Sequence, residues 1–267
     1  MKILFAVDKT RFFYIKQFID ELEKNNIICK LIDDLDIYDN SKFAKKYLRW
    51  IKTPSKFQNI IEDFKPDFIF TERVSHFSSL VLKTHIPLII FLRGNFWQEV
   101  ELGKTTIEKS KLSHLEINMK NKFANKCFSQ AHLILPICSH LKKITEEKYP
   151  YKKIHVLYQG IYKPDWYNEK GFEFKHPCIG FLQNSNIWNK TKEMLILPKI
   201  IENFPNVNFY WAGDGPFTKD ILPYLENFPN FHWLGSLEYP NQVRQFFSEI
   251  DIYGLISGND MSPHTIL

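Results

Sequence analysis

Lys190, Asp260 and Arg93 are the residues through which this sequence could do chemistry. The Lys190 ammonium would neutralise a diphosphate, and the Asp260 carboxylate would accept hydrogen bonds from hydroxyl groups. Arg93 is followed by Gly94, so its cation would sit where backbone lets a ligand come close. Each has a plainer reading. Lys190 suits a solvated helix start, Asp260 or Ser262 suits a helix cap, and Arg93 suits a surface turn. The elements that position them must decide.

Those elements alternate. Apolar runs at 2–7, 27–32, 67–71, 88–92, 132–136 and 154–157 read as strands. Between them, 10–25, 77–83, 107–129 and 139–148 read as helices. The stretch 159–177 has Gly, Pro and aromatic residues without periodicity, and 161–177 is expected to be a linker. Strands are then expected at 178–182, 207–212, 231–234 and 252–256, with helices at 191–203, 218–227 and 241–248 and another from Ser262. This predicts an α/β chain of two Rossmann-like domains, 1–160 and 178–267, with a cleft between them. With four strands against the usual six, the second is expected to be incomplete.

In a doubly wound sheet, ligands bind beyond the carboxyl ends of the strands, where the strand order reverses. In the second domain that point lies between the strands at 178–182 and 252–256. The loop after the first holds Asn184 and Ser185 and ends at Lys190. The loop after the other runs from Ser257 through Asp260, Met261, Ser262 and Pro263 to His264. A helix starting there would favour a diphosphate through free amides and its dipole. Gly213 and Gly215 frame a turn after a third strand. In the first domain the strand ends bring up Arg11, His76, Arg93 and Asn95, the wall expected to face an acceptor.

Composition narrows the classes. The chain has 267 residues, net charge +5, 44% hydrophobic and 24% charged residues, which excludes disorder and fibrous repeats. Phe is abundant at 24, and Gly is scarce at 10. The four cysteines form no CxxC and stand near no His pair, so they are expected to be buried thiols, with no metal bound. No leader and no membrane-length apolar run is evident, so a cytoplasmic chain is expected. The basic stretch 41–52, with aromatic residues between its lysines, leaves peripheral contact with an acidic membrane face open. Packing against the sheet is the favoured reading, because this fold needs a one-sided helix there. No GxGxxG follows the first strand and no P-loop occurs, which disfavours a dinucleotide dehydrogenase and excludes a P-loop nucleotidase. Nucleic-acid binding is the weakest reading, because the charge is spread and no known motif appears.

Several motifs together resemble glycosyltransferase family 4, the retaining GT-B transferases. They are the opening KILFAV, PDFIF from Pro66, IPLIIFLRG from Ile86, AHLILPICS from Ala131, VLYQG from Val156, WAGDGP from Trp211 and SGNDMSP from Ser257. The resemblance implies sugar transfer from a nucleotide-diphosphate-sugar to a glycan or lipid-linked acceptor, with retention, and no cofactor. It implies that Lys190 lies on the donor phosphates and Asp260 on the donor sugar. Met261, Ser262 and His264 would offer backbone amides to the phosphates, and Pro263, between them, would line the same donor site. Gly213, Gly215, Ser236 and Leu237 would lie near the nucleoside.

The sequence also departs from that pattern. Arg93 stands where the family has His, Asn184 where it has a phosphate-binding Arg, and the partner acid of Asp260 would fall just past Leu267. A chain cut short in its second domain is therefore expected. Two other readings follow: an inactive nucleotide-sugar-binding fragment and a GT-B sugar-nucleotide epimerase.

Overall fold

Short apolar runs without alternation form strands covered on both faces of a parallel sheet. The computed structural model of the chain describes residues 1–9, 12–38, 54–105, 111–258 and 260–266. Arg11 and the basic stretch 41–52 lie outside the described residues. The chain divides into two units, Met1–Gln159 and Gly160–Leu267.

The first unit runs β1 (Lys2–Ala6), α1 (Phe12–Lys24), β2 (Ile28–Ile32), α2 (Asp34–Ile37), α3 (Ser55–Phe64), β3 (Phe68–Glu72), α4 (His76–Val81), β4 (Leu88–Leu92), α5 (Phe96–Thr105), α6 (Lys111–Gln130), β5 (Leu133–Pro136) and α7 (Ser139–Lys148). Its sheet has the order β2-β1-β3-β4-β5, and every pair is parallel. The abundant Phe is spent here on a packed aromatic seam. Phe5 lies 4.9 Å from Phe70 and edge-on to Phe18 of α1, and Phe70 meets Phe91 at 5.9 Å. Such pairs add about 1 kcal/mol each beyond the area they bury.

The expected strand at 154–157 is only a bridge, Ile134 to Ile154. Backbone bonds from His155 to Ile134 and from Leu157 to Pro136 run alongside β5. Pro136 has no N–H to give back, so the ladder cannot extend there. Helix α5 was not expected, because its apolar residues do not keep a helical period. The helix expected over 107–129 is described as α6, from Lys111.

The second unit runs β6 (Cys178–Leu182), α8 (Trp188–Thr191), α9 (Leu197–Asn203), β7 (Asn208–Ala212), β8 (Phe231–Gly235), α10 (Asn241–Glu249) and β9 (Ile252–Tyr253). The sheet order β8-β7-β6-β9 is again parallel. One face buries Trp211, Phe209, Met194, Leu197 and Ile221. The expected helix 191–203 is interrupted by a 3-10 stretch, Lys192–Ile196. Pro198 cannot donate to the carbonyl of Met194, which takes the Leu197 N–H instead. Pro223 acts similarly on the expected helix 218–227, which is two 3-10 turns, Thr218–Asp220 and Leu222–Tyr224.

The stretch 161–177, expected to link the domains, packs on the second unit. Phe174 stacks on Tyr210 of β7 at 3.9 Å, and the Lys175 N–H donates to the Tyr210 hydroxyl at 2.8 Å. Glu169 accepts from Arg244 of α10 at 3.0 Å. These aromatic and ionic contacts alternate without a period, so no periodic signal exposed them. Among the described residues, no helix is long and apolar enough to cross a membrane.

Candidate functional site

The order β8-β7-β6-β9 puts the reversal of the second sheet between β6 and β9. Lys190 leaves the β6 side at the end of its loop, and Asp260 leaves the β9 side. Their side chains meet there, Lys190 Nζ on Asp260 Oδ1, and both are partly buried at 29% and 24% exposure. Topology alone brings this pair together, since the two residues lie on separate connections. A partly dehydrated ammonium on a carboxylate is a charge that an anion can take over.

Two contacts hold the β9 loop over this pair. The Gly258 N–H donates to Glu193 Oε2 at 2.8 Å, and the Tyr253 hydroxyl donates to Thr265 Oγ1 at 2.7 Å. Burial pushes the Tyr253 phenol pKa up, so it stays a neutral donor. Strand β9 ends at Tyr253, although a strand to residue 256 was expected. A further sheet bond follows, Gly254 N–H to Gly180 O, before the chain turns into the loop. The helix expected from Ser262 is a single 3-10 turn, His264–Ile266. Met261, Ser262, Pro263 and His264 are half-buried on the approach to it. A single turn sums few peptide dipoles, so it offers an anion little beyond what the Lys190 ammonium supplies.

The turn after β7 is built on close backbone approach. Gly213 has φ +149°, and a Cβ there would lie 2.0 Å from the Gln183 carbonyl oxygen. Its N–H donates to Gly235 O at 2.7 Å, and its carbonyl accepts from Trp233 Nε1 at 2.8 Å. Gly215 has φ +156°, beside Ser185 and Asn186. Asp214 accepts from the Thr218 hydroxyl and the Gly215 N–H, which hold its carboxyl below the usual carboxylate range. Asn184 turns back to accept from the Asn186 N–H at 3.3 Å. Ser185, expected to face a donor, is fully buried with its hydroxyl 2.6 Å from that of Thr218. It braces the loop instead. Ser236 is exposed, while Leu237 packs towards Phe246 and Tyr210.

In the first unit, Arg93 is not a surface turn residue. Its Nη1 donates to Glu72 Oε1 at 3.1 Å and its Nη2 to Gln159 at 2.8 Å, and its guanidinium lies 4.2 Å from the Tyr14 ring. Tyr14 donates to the same Glu72 oxygen at 2.8 Å. Glu72 is 3% exposed at the carboxyl end of β3. Gly94 leaves room for the Arg73–Glu99 pair, since a Cβ would fall 2.5 Å from Glu99 Oε1. His76 pairs with Asp34 at 2.7 Å, and Asn95 accepts from the Gln98 N–H at the start of α5. Glu72→Gln keeps the hydrogen bonds but removes the charge opposite Arg93. It is expected to lower stability by about 2 kcal/mol in chemical denaturation.

No family model matches the chain, and no curated protein matches it in sequence. Solved structures do match. WaaB, a lipopolysaccharide outer core galactosyltransferase in its apo form, gives a TM-score of 0.61 at 16% identity over 100% of this chain and 77% of its own. HepE from Anabaena, in complex with UDP and glucose, gives 0.57 at 13% identity, covering 96% and 74%. UDP-GlcNAc 2-epimerase from Neisseria meningitidis, bound to UDP-GlcNAc, gives 0.54 at 15% identity, covering 95% and 76%. The fold is GT-B.

Within this GT-B chain, three residues of the two sites escaped sequence reasoning: Tyr14, Glu193 and Tyr253. Glu72 had a usable signal, an acid closing the apolar run FIFTE. A carboxylate at the end of a buried strand needs a partner, and Arg93 directly follows the neighbouring strand β4. Tyr14, Glu193 and Tyr253 sit in helical or strand positions where nothing local marks them.

Proposed function

We propose that the chain binds a nucleoside-diphosphate sugar at the carboxyl edge of β6 and β9, and transfers the sugar with retention to a glycan or lipid-linked acceptor, in the manner of family 4. The observation that carries this reading is the Lys190–Asp260 pair at the strand-order reversal. When a donor arrives, its diphosphate takes the ammonium from Asp260. The freed carboxylate then accepts from sugar hydroxyls. As the glycosidic bond breaks, negative charge builds on the leaving diphosphate, and Lys190 stabilises it more in the transition state than before. No metal and no cofactor enters this reading. HepE with UDP and glucose, and the epimerase with UDP-GlcNAc, support a uridine donor.

Epimerisation is the second reading, favoured by the match over 95% of this chain to UDP-GlcNAc 2-epimerase. Titration calorimetry of the 267-residue chain with UDP-, GDP- and ADP-sugars, followed by NMR of each bound donor, separates the two. Binding of a UDP-sugar without change at the sugar carbons until an acceptor is supplied is the expected result. Epimerisation without acceptor would select the second reading. Absence of binding to every nucleotide would remove both.

A further inference from the structure

The geometry points to a surface site for a divalent transition metal of zinc type, made by His176, Cys178 and Asp251 at the amino edge of the second sheet. Their ligand atoms, Nδ1, Sγ and a carboxylate oxygen, all lie within 4.8 Å of one another. The sheet itself assembles them. His176 lies in the bend that leads into β6, and Cys178 is the first residue of that strand, with the imidazole Nδ1 3.7 Å from the thiol. Asp251 immediately precedes β9, whose Ile252 pairs with Ile179 of β6. That register sets Asp251 opposite Cys178. The site lies at the other end of the strands from Lys190 and Asp260, and the proposed transfer makes no use of it.

The donor set selects the cation. One imidazole, one thiol and one carboxylate suit zinc, which takes N, S and O ligands, and suit magnesium or calcium poorly. Nδ1 to Sγ is 3.7 Å, close to the edge of about 3.6 Å that tetrahedral zinc needs. Nδ1 to Asp251 Oδ2 is 2.9 Å and would open by about 0.4 Å around the same ion. His176 and Asp251 are about half exposed, which leaves a side open for water as the fourth ligand. Without metal the three groups satisfy each other. Asp251 Oδ2 accepts from the Cys178 N–H at 2.7 Å and faces His176, while the thiol donates to Glu249 O at 3.6 Å. A cation would replace the His–Asp contact and displace the thiol proton. The Cys178 N–H would continue to orient the carboxylate. Bound metal would tie the chain entering β6 to the chain entering β9.

The test uses the untagged 267-residue chain, stripped with chelator and titrated with Co(II) and then Zn(II). One equivalent of Co(II) with a thiolate-to-cobalt charge-transfer band is expected, displaced by Zn(II). Zinc should also raise Tm. Cys178→Ser should abolish the band, and His176→Gln and Asp251→Asn should each weaken Zn(II) binding by roughly a hundredfold. The last two positions are half exposed, so those variants keep the test sound if Cys178→Ser misfolds. Absence of the band in the parent chain, or zinc affinity unchanged in both exposed variants, would overturn the site.

Discussion

Lys190→Ala is expected to weaken UDP binding by about a hundredfold, near 3 kcal/mol, while lowering Tm by only about 3 °C. The asymmetry follows from what the ammonium faces. In the free protein it meets one carboxylate and is about a third open to water, so its loss costs folding about 1 kcal/mol. With a nucleotide bound it would face two phosphate charges out of bulk water, where a charged contact is worth 2–3 kcal/mol or more. Alanine would also leave Asp260 unpaired beside the diphosphate, adding repulsion to the lost attraction. The companion variant separates the roles. Asp260→Asn releases Lys190 from its internal partner, so UDP should bind up to about tenfold tighter, while turnover of a UDP-sugar falls by roughly a hundredfold. Calorimetry reads the first quantity and product formation the second. Equal losses of Tm and affinity in Lys190→Ala would make the pair a structural tie, and weaker UDP binding in Asp260→Asn would refute the competition.

What the sequence disclosed follows period and topology. Parallel strands such as LIIFL at Leu88–Leu92 and CIGFL at Cys178–Leu182 are continuous apolar runs, and both lie at the residues expected. Once the four strands of the second unit are ordered, the rule that ligands sit where strand order reverses brings Lys190 and Asp260 to one place. The sequence disclosed less where one residue overrides a pattern. Pro136, Pro198 and Pro223 each remove a backbone donor: an expected strand becomes a bridge, one expected helix is interrupted by a 3-10 stretch, and another becomes two 3-10 turns. Side-chain commitments were also hidden. Ser185 lies on a candidate donor loop, yet its hydroxyl is consumed by Thr218. Likewise Cys178 stood apart from any His pair along the chain, whereas the β6–β9 register sets Asp251 beside it and His176. Contacts between residues far apart in sequence carry no local period, so only the folded sheet exposes them.

Gly213→Ala is expected to destabilise the second unit by about 4 kcal/mol, the largest single-residue effect on folding anticipated here. Two costs combine. At φ +149° a residue with a Cβ is strained by about 2 kcal/mol. The added carbon would also stand 2.0 Å from a carbonyl oxygen, and neither backbone can yield cheaply. The Gln183 carbonyl accepts from the Trp211 indole at 2.8 Å, and Trp211 is wholly buried in the core. Moving Gln183 therefore strains the core on one side and the loop leading to Lys190 on the other. Moving Gly213 breaks its bond to Gly235 and the Trp233 indole contact. Two further glycines calibrate the measurement. Gly235→Ala has a positive φ of +70° but open space, so only a conformational cost of about 1 kcal/mol is expected. Gly160→Ala meets nothing within 4 Å, at an ordinary φ, and should fall within about 0.5 kcal/mol of the parent chain. Urea unfolding followed by Trp fluorescence ranks the three. A loss at Gly213 no greater than at Gly235 would mean that the backbone around Gln183 gives way freely, and that the turn after β7 does not fix the loop on which Lys190 is carried.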